Sequence, residues 1–248
     1  MLTEERYTLI LQRLQERKIV KIQELMEELN ASESTVRRDL IDLEARGALK
    51  RIHGGASLPV HRGLEPGMEE KSSKNVQQKT RIAKLAASQV HDGECIYLDA
   101  GTTTLAMIPY IEARDIIVVT NGLSHVEALV SKQIRSYLLG GMMKSHTKAV
   151  IGSIALQNMD NFRFDKCFLG TNGVDADMGF TTPDPEEALV KRRAHQLSAE
   201  TFVLADSSKF GEVSFAKLFD VPEAVIIADS VPEPMRAAIV QKTKVIEG

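Results

Sequence analysis

From residue 94 onward the chain repeats one alternation: a short apolar run rich in β-branched residues, a turn, then a stretch with helical spacing. The runs are ECIYLD (94–99), DIIVVT (115–120), IRSYLL (134–139), DKCFLG (165–170), TFVLAD (201–206) and AVIIA (224–228). Helices are expected at 76–90, 103–112, 123–131, 148–160 and 185–199. Strands that are apolar along their whole length, alternating with helices, build a parallel sheet covered on both faces. An α/β domain is therefore expected over 76–248. Ligands of such sheets gather at the carboxyl ends of the strands, so the turn after each run becomes a candidate wall of a binding site.

The first 56 residues follow a different pattern. Tyr7, Ile10, Leu11 and Leu14 share one face of a helix over 3–17, and Ile22, Leu25, Met26 and Leu29 share one face of a second over 21–29. After the turn NAS, Ser32 or Ser34 can cap a third helix that buries Val36, Leu40 and Leu43 and stops at Gly47. Three short helices with tight turns make a helix-turn-helix unit. The following ALKRIHGGA alternates apolar and basic residues and ends on two glycines, as a small hairpin or wing does.

In such a unit the second helix of the motif enters the major groove, its first residues facing base edges. Here those are Ser32, Glu33, Ser34 and Thr35, followed by Arg37 and Arg38. Arginine can take guanine or phosphate bidentately, and Lys50, Arg51 and His53 of the wing are placed to meet the backbone or minor groove. Double-stranded DNA is the expected partner. The net charge of −3 excludes a bulk polycation, and residues 1–56 hold ten bases against ten acids, so contact must come from local placement. The last three bases, Arg46, Lys50 and Arg51, follow the last acid, Glu44.

Residues 57–75 (SLPVHRGLEPGMEEKSSKN) carry two prolines, two glycines and many charges with no apolar period, and read as a linker able to fold onto a neighbour. The expected organisation is thus 1–56, a linker 57–75, and 76–248. Six His and two Cys do not cluster, so no metal or cofactor is expected, and Cys95 and Cys167 read as buried core thiols of a reduced cytoplasm. The N-terminus lacks a basic region followed by an apolar one, and no apolar run approaches membrane-spanning length.

Asp99-Ala100-Gly101-Thr102-Thr103-Thr104 follows a strand and opens a helix, joining hydroxyls to the free N–H groups of a helix start, which suits an anion. Lys144, Lys191 and Lys209 are the candidate cations beside it. The other turns at strand ends are Asn121-Gly122, Gly140-Gly141, Gly173-Val174-Asp175 and Asp206-Ser207-Ser208-Lys209.

TVRRDL and ARGALKRIHGGA near the start, then YLDAGTTT, VVTNGL, LLGG, FLGTNGVDADMGFTTPDPEEALVKR and LADSSKFG, resemble, in that order, the DeoR family of bacterial transcriptional regulators over essentially the whole chain. TTPDPEEA and EKSSKN are most similar to its fructose-operon repressors of Gram-positive bacteria. The resemblance implies a winged helix-turn-helix followed by a Rossmann-like sensor domain similar in fold to phosphosugar isomerases. It implies a repressor, oligomeric on its operator, relieved by a phosphosugar such as fructose 1-phosphate. In that setting Asp99, Asp175 and Glu187 could hold sugar hydroxyls. Glu187 and Lys191, at i and i+4, could form an isomerase-like base–lysine pair or an exposed helix salt pair. The attached DNA-binding unit argues that the ligand is read rather than turned over.

Overall fold

A computed structural model describes residues 2–17, 19–58, 62–63 and 65–248. It divides into two compact units, Met1–His61 and Arg62–Gly248. The division falls inside the stretch 57–75, of which 59–61 and 64 lie outside the described residues.

The first unit holds α1 (Thr3–Arg17), β1 (Ile19–Lys21), α2 (Ile22–Leu29), α3 (Glu33–Ala45), β2 (Lys50–Ile52) and β3 (Gly55–Ser57). Its core joins Tyr7, Ile10 and Leu14 of α1 to Leu25 and Leu29 of α2 and to Val36, Leu40 and Leu43 of α3. Ser32 caps α3, its hydroxyl accepting from the Thr35 N–H. Gly47, at φ +70°, ends it in the left-handed region that glycine tolerates. The expected hairpin forms between β2 and β3, and β1 joins it on the other side of β3, giving the order β1-β3-β2. Gly55 makes that third strand possible, because a Cβ there would stand 2.0 Å from the Val20 carbonyl oxygen.

The second unit opens with α4 (Met68–Ser73) and α5 (Val76–Ala87), then runs β4 (Cys95–Leu98), α6 (Thr102–Met107), β5 (Ile117–Thr120), α7 (His125–Ser131), β6 (Arg135–Leu138), β7 (Met142–Lys144), β8 (Ala149–Ile151) and α8 (Ser153–Met159). It continues with β9 (Phe164–Gly170), β10 (Gly173–Asp175), β11 (Gly179–Thr182), α9 (Pro185–Gln196), β12 (Ser198–Ala205), β13 (Ala216–Lys217), β14 (Val225–Ala228), α10 (Glu233–Val240) and β15 (Val245–Glu247). Seven strands form one parallel sheet in the order β15-β14-β12-β9-β4-β5-β6. Two apolar layers cover it. One is centred on Tyr97, Cys167, Leu169, Phe180 and Val203, the other on Ile82, Ile96, Leu98, Phe168 and Ile227. The chain starts at β4, winds outward to β6, then returns to β9 and winds the other way. The switch point therefore lies between β4 and β9, where a doubly wound sheet opens its crevice.

Three readings of the sequence need correction. The helix expected over 148–160 begins only at Ser153. Ala149–Ile151 instead pairs antiparallel with Met142–Lys144, and Gly152 at φ +92° separates strand from helix. The pairing gives the β-branched Val150 and Ile151 a buried place that a helix start would not. Cys167 is buried as expected, but Cys95, at the start of β4, is only partly so. Part of the linker is ordered: Met68–Ser73 is helical and the Met68 side chain is buried.

Candidate functional site

In the first unit α1 sets the orientation of α3. Arg6 makes two hydrogen bonds to the Asp39 carboxylate, 2.6 and 2.9 Å, and the Tyr7 hydroxyl donates to Asp42 at 2.9 Å. Asp39 sits on the buried side of α3, a role that the apolar pattern did not reveal. Ser32, Glu33, Ser34, Arg37 and Arg38 are exposed along the start of α3, Thr35 is half-buried, and Lys50, Arg51 and His53 are exposed on the hairpin. Several of these side chains are engaged. Ser32 Oγ lies 2.9 Å from the hydroxyls of both Ser34 and Thr35, Arg37 pairs with Glu33 at 2.6 Å, and Arg51 pairs with Glu44 at 2.6 Å. Arg38 and Lys50 make no ion pair among the described residues. Such surface pairs are worth well under ~1 kcal/mol, so Arg37 and Arg51 can exchange their carboxylates for phosphates at small cost.

In the second unit a cleft of about 770 Å³, counted out to its open mouth, lies at the carboxyl ends of the strands. Of the residues anticipated from sequence, Ala100, Gly101, Thr102, Thr103, Asn121, Glu187, Lys191, Asp206 and Lys209 line it. Asp99 and Thr104 lie buried directly beneath that loop. Gly122, Gly141, Lys144, Gly173 and Asp175 are not on its wall. Asp175 instead accepts the N–H groups of Asp177 and Met178 in the turn after β10, and Gly122 leaves room for His125, whose Nδ1 would stand 2.3 Å from a Cβ there.

Asp99 is the keystone of the switch point. Oδ1 accepts from the Gly101 N–H and the Thr104 hydroxyl, each at 3.0 Å; Oδ2 accepts from the Gly170 N–H at 2.8 Å and from the Lys191 ammonium. One carboxylate thus binds the turn after β4, the end of β9 and the middle of α9. Gly101 is needed for this contact, since a Cβ would fall 2.9 Å from Asp99 Oδ1. Burial alone would raise the Asp99 carboxyl; Lys191, Gly170 and Thr104 outweigh it and hold the group below the usual range. Burial likewise opposes the Lys191 charge, and Asp99 with Glu187 overcomes it, so its pKa is raised.

Glu187 and Lys191 are both buried, 8% and 9% exposed, so they are no exposed salt pair. Lys191 is held by Asp99, while Glu187 accepts from Thr147 at 2.7 Å and Lys144 at 2.9 Å. Lys144 also reaches Glu65 at 2.8 Å and Asp184 at 2.6 Å. Those three carboxylates are the one close acidic group among the described residues that has the geometry to hold a metal ion, and the Lys144 ammonium stands among them. Burial opposes the Lys144 charge, but its three acidic partners raise its pKa.

The hydroxyls of Thr102 and Thr103 have no hydrogen-bond partner among the described residues, whereas Thr104 is turned into the core. Beneath it His125 Nε2 lies 3.2 Å from Thr104 Oγ1, and burial pushes its pKa down to about 4. Nδ1 is buried without a partner among the described residues. A neutral ring protonated on Nε2 fits both facts. The Asn121 side chain is fixed by the Tyr97 hydroxyl at 2.8 Å and the Val150 carbonyl at 3.0 Å.

The rest of the wall was not anticipated: Glu65, Met68, Lys71, Lys79, Thr147, Gly170, Thr171, Asn172 and Leu204. One signal was present in the sequence. Lys79 stands three, four and seven residues before Ile82, Ala83 and Ala86, so it shares the buried stripe of α5.

A helix-turn-helix unit with exposed arginines at the start of its second motif helix, in one chain with a ligand cleft at the switch point of a parallel sheet, defines a ligand-responsive DNA-binding regulator. The DeoR-like helix-turn-helix domain family matches residues 6–61, and the DeoR C terminal sensor domain family matches 74–230. Among relatives, the uncharacterized HTH-type transcriptional regulator FruR of Bacillus subtilis (strain 168) is 54% identical over 234 residues, 94% of this chain and 93% of that one. A lactose phosphotransferase system repressor of Staphylococcus epidermidis is 37% identical over 82% of each chain, and the HTH-type transcriptional repressor GlcR of B. subtilis is 33% identical over 94% of this chain and 90% of its own. A ribose 5-phosphate isomerase from Methanocaldococcus jannaschii shares 19% identity over 55% of each chain at a TM-score of 0.42, too distant to bear on function. The chain belongs to the DeoR family of transcriptional regulators. It is a regulator and not an enzyme. No helix among its described residues is long and apolar enough to cross a membrane.

Proposed function

We propose that this regulator represses a sugar-utilisation operon in the cytoplasm and that a phosphosugar, with fructose 1-phosphate as the first candidate, releases it from its operator. The observation that carries the reading is the cleft between the ends of β4 and β9. It offers two unengaged threonine hydroxyls, a fixed asparagine and several lysines, the chemistry of a phosphate bearing a polyol. The names of the lactose phosphotransferase system repressor and of GlcR support the repressor reading. The similarity of TTPDPEEA and EKSSKN to fructose-operon repressors supports the choice of sugar.

On DNA, Ser32, Glu33, Ser34, Thr35, Arg37 and Arg38 at the start of α3 serve as the reading face and Lys50, Arg51 and His53 as backbone or minor-groove contacts. Two copies set their α3 helices about one helical turn apart, or a multiple of it, on a repeated or palindromic operator. A coupling of about 1–3 kcal/mol, roughly 5–150-fold in DNA affinity, suffices to relieve repression. The test is fluorescence anisotropy of the DNA upstream of the protein's own operon, titrated with protein in the presence and absence of fructose 1-phosphate. Release by that compound is expected. Tight binding that it leaves unchanged would reject the fructose effector, and the absence of salt-sensitive binding would reject the repressor itself.

A further inference from the structure

One wall of the cleft is made by the residues that follow the first unit in sequence, Glu65, Met68 and Lys71. This strap is fastened along its length. Glu65 takes the ammonium groups of Lys144 and Lys71, each at 2.8 Å, the Met68 N–H donates to the His146 carbonyl at 3.0 Å, and Asn75 Nδ2 donates to Asp206 Oδ1 at 3.1 Å. The His146 ring lies 2.8 Å from the Glu65 carbonyl through Nε2, and a further fastener is Lys79, whose Nζ donates to the Lys71 carbonyl in α4.

Lys79 differs from its neighbours on the wall. Lys71 has Glu65 as counter-ion and Lys191 has Asp99. Lys79 is 9% exposed, lines the cleft, and makes no ion pair with any described residue; the one hydrogen-bond partner of its ammonium among the described residues is that backbone carbonyl. Asp206 attracts it from a distance, but that carboxylate already accepts from Asn75 and Ser208, and Lys71 and Lys209 repel it. Burial accordingly holds its pKa below that of an ordinary lysine. A buried ammonium without a counter-ion is unfavourable until an anion arrives, and an anion in this cleft would be that counter-ion.

We propose that Lys79 recognises the anionic group of the effector and is at the same time one of the fasteners of the strap Glu65–Asn75, the one that holds the last turn of α4. An anion in the cleft draws the ammonium off the Lys71 carbonyl, and the last turn of α4 loses its hold. Binding is thereby transmitted to the part of the second unit that lies nearest in sequence to the DNA-binding unit. The inference rests on the phosphosugar reading of the cleft and adds the residue that carries it.

The experiment is a calorimetric titration of the full chain with inorganic phosphate, in wild type, Lys79→Gln and Lys79→Arg, with hydrogen exchange of peptides covering 65–75 read with and without phosphate. Wild type should bind phosphate, Lys79→Gln should lose roughly tenfold or more in affinity, as expected for a hydrogen bond to a charged group, and Lys79→Arg should keep most of it. Exchange over 65–75 should quicken when phosphate binds to wild type, a readout that holds even if Lys79→Gln fails to fold. Equal affinity in wild type and Lys79→Gln, or no phosphate binding by wild type, overturns the assignment of Lys79. Unchanged exchange over 65–75 overturns its role as fastener. Failure of the phosphosugar reading looks different: phosphate would bind in a Lys79-dependent way while fructose 1-phosphate left the operator complex intact.

Discussion

Replacing Asp99 by Asn tests whether one buried carboxylate holds the switch point together. All four of its partners are donors: the Gly101 N–H and Thr104 hydroxyl on Oδ1, the Gly170 N–H and Lys191 ammonium on Oδ2. An asparagine amide has one acceptor oxygen, so in either orientation its NH₂ faces a pair of donors. Lys191 is also left buried without its nearest counter-ion. Removing one partner of a buried pair costs about 3–5 kcal/mol, which lowers the melting temperature of a unit this size by about 6–20 °C. Calorimetry of the full chain should show the fall in the transition of the second unit. Adding Lys191→Met should recover part of it, because the orphaned ammonium is gone. The carboxyl sits below its ordinary value, so its stabilisation is whole at neutral pH and is lost as pH falls below 3.8 through the lower folded value. Asp99→Asn should lack that acid-side loss. A fall of less than about 1 kcal/mol, or strict additivity of the two substitutions, would refute the reasoning.

Two further outcomes are expected. Arg38→Ala should weaken operator binding and reduce the slope of log affinity against log salt by about 0.9 if the contact is to phosphate, while fructose 1-phosphate binding, read by calorimetry, stays unchanged; Arg51→Ala should do the same with a smaller loss, since Arg51 must first leave Glu44. Normal operator binding by both variants would remove α3 and the wing from the DNA-reading role. For His125, burial lowers the folded pKa from 6.5 to about 4. The unfolded chain therefore binds the extra proton first, and stability falls by about 3 kcal/mol as pH drops through that interval. Urea unfolding of wild type should show this fall and His125→Gln should not; equal pH dependence in the two would contradict it.

The local patterns were informative where burial repeats along one element. The stripes Tyr7–Ile10–Leu14 and Val36–Leu40–Leu43 became helix cores, and the apolar runs became the parallel strands. They misled at 148–160, where Ala149–Ile151 is apolar in either conformation and the partner strand Met142–Lys144 decides the outcome. In the sequence Asp39 is only one of the ten acids of residues 1–56, because nothing in its helix announces that Arg6, 33 residues earlier, meets it. The charge-rich stretch 57–75 read as a linker because its fasteners, Lys144, His146 and Asp206, lie far along the chain.

By itself the sequence determined that the chain holds a helix-turn-helix unit and a parallel α/β unit, and that polar turns cap its strands, since helix and strand periods and turn residues act over a few positions. Only the tertiary structure decided which turns converge. The order of parallel strands is set by their crossovers, and no local period records that β4 lies beside β9. That adjacency brings Asp99 to Gly170 and Lys191, and it makes one cleft from turns scattered between residues 65 and 209.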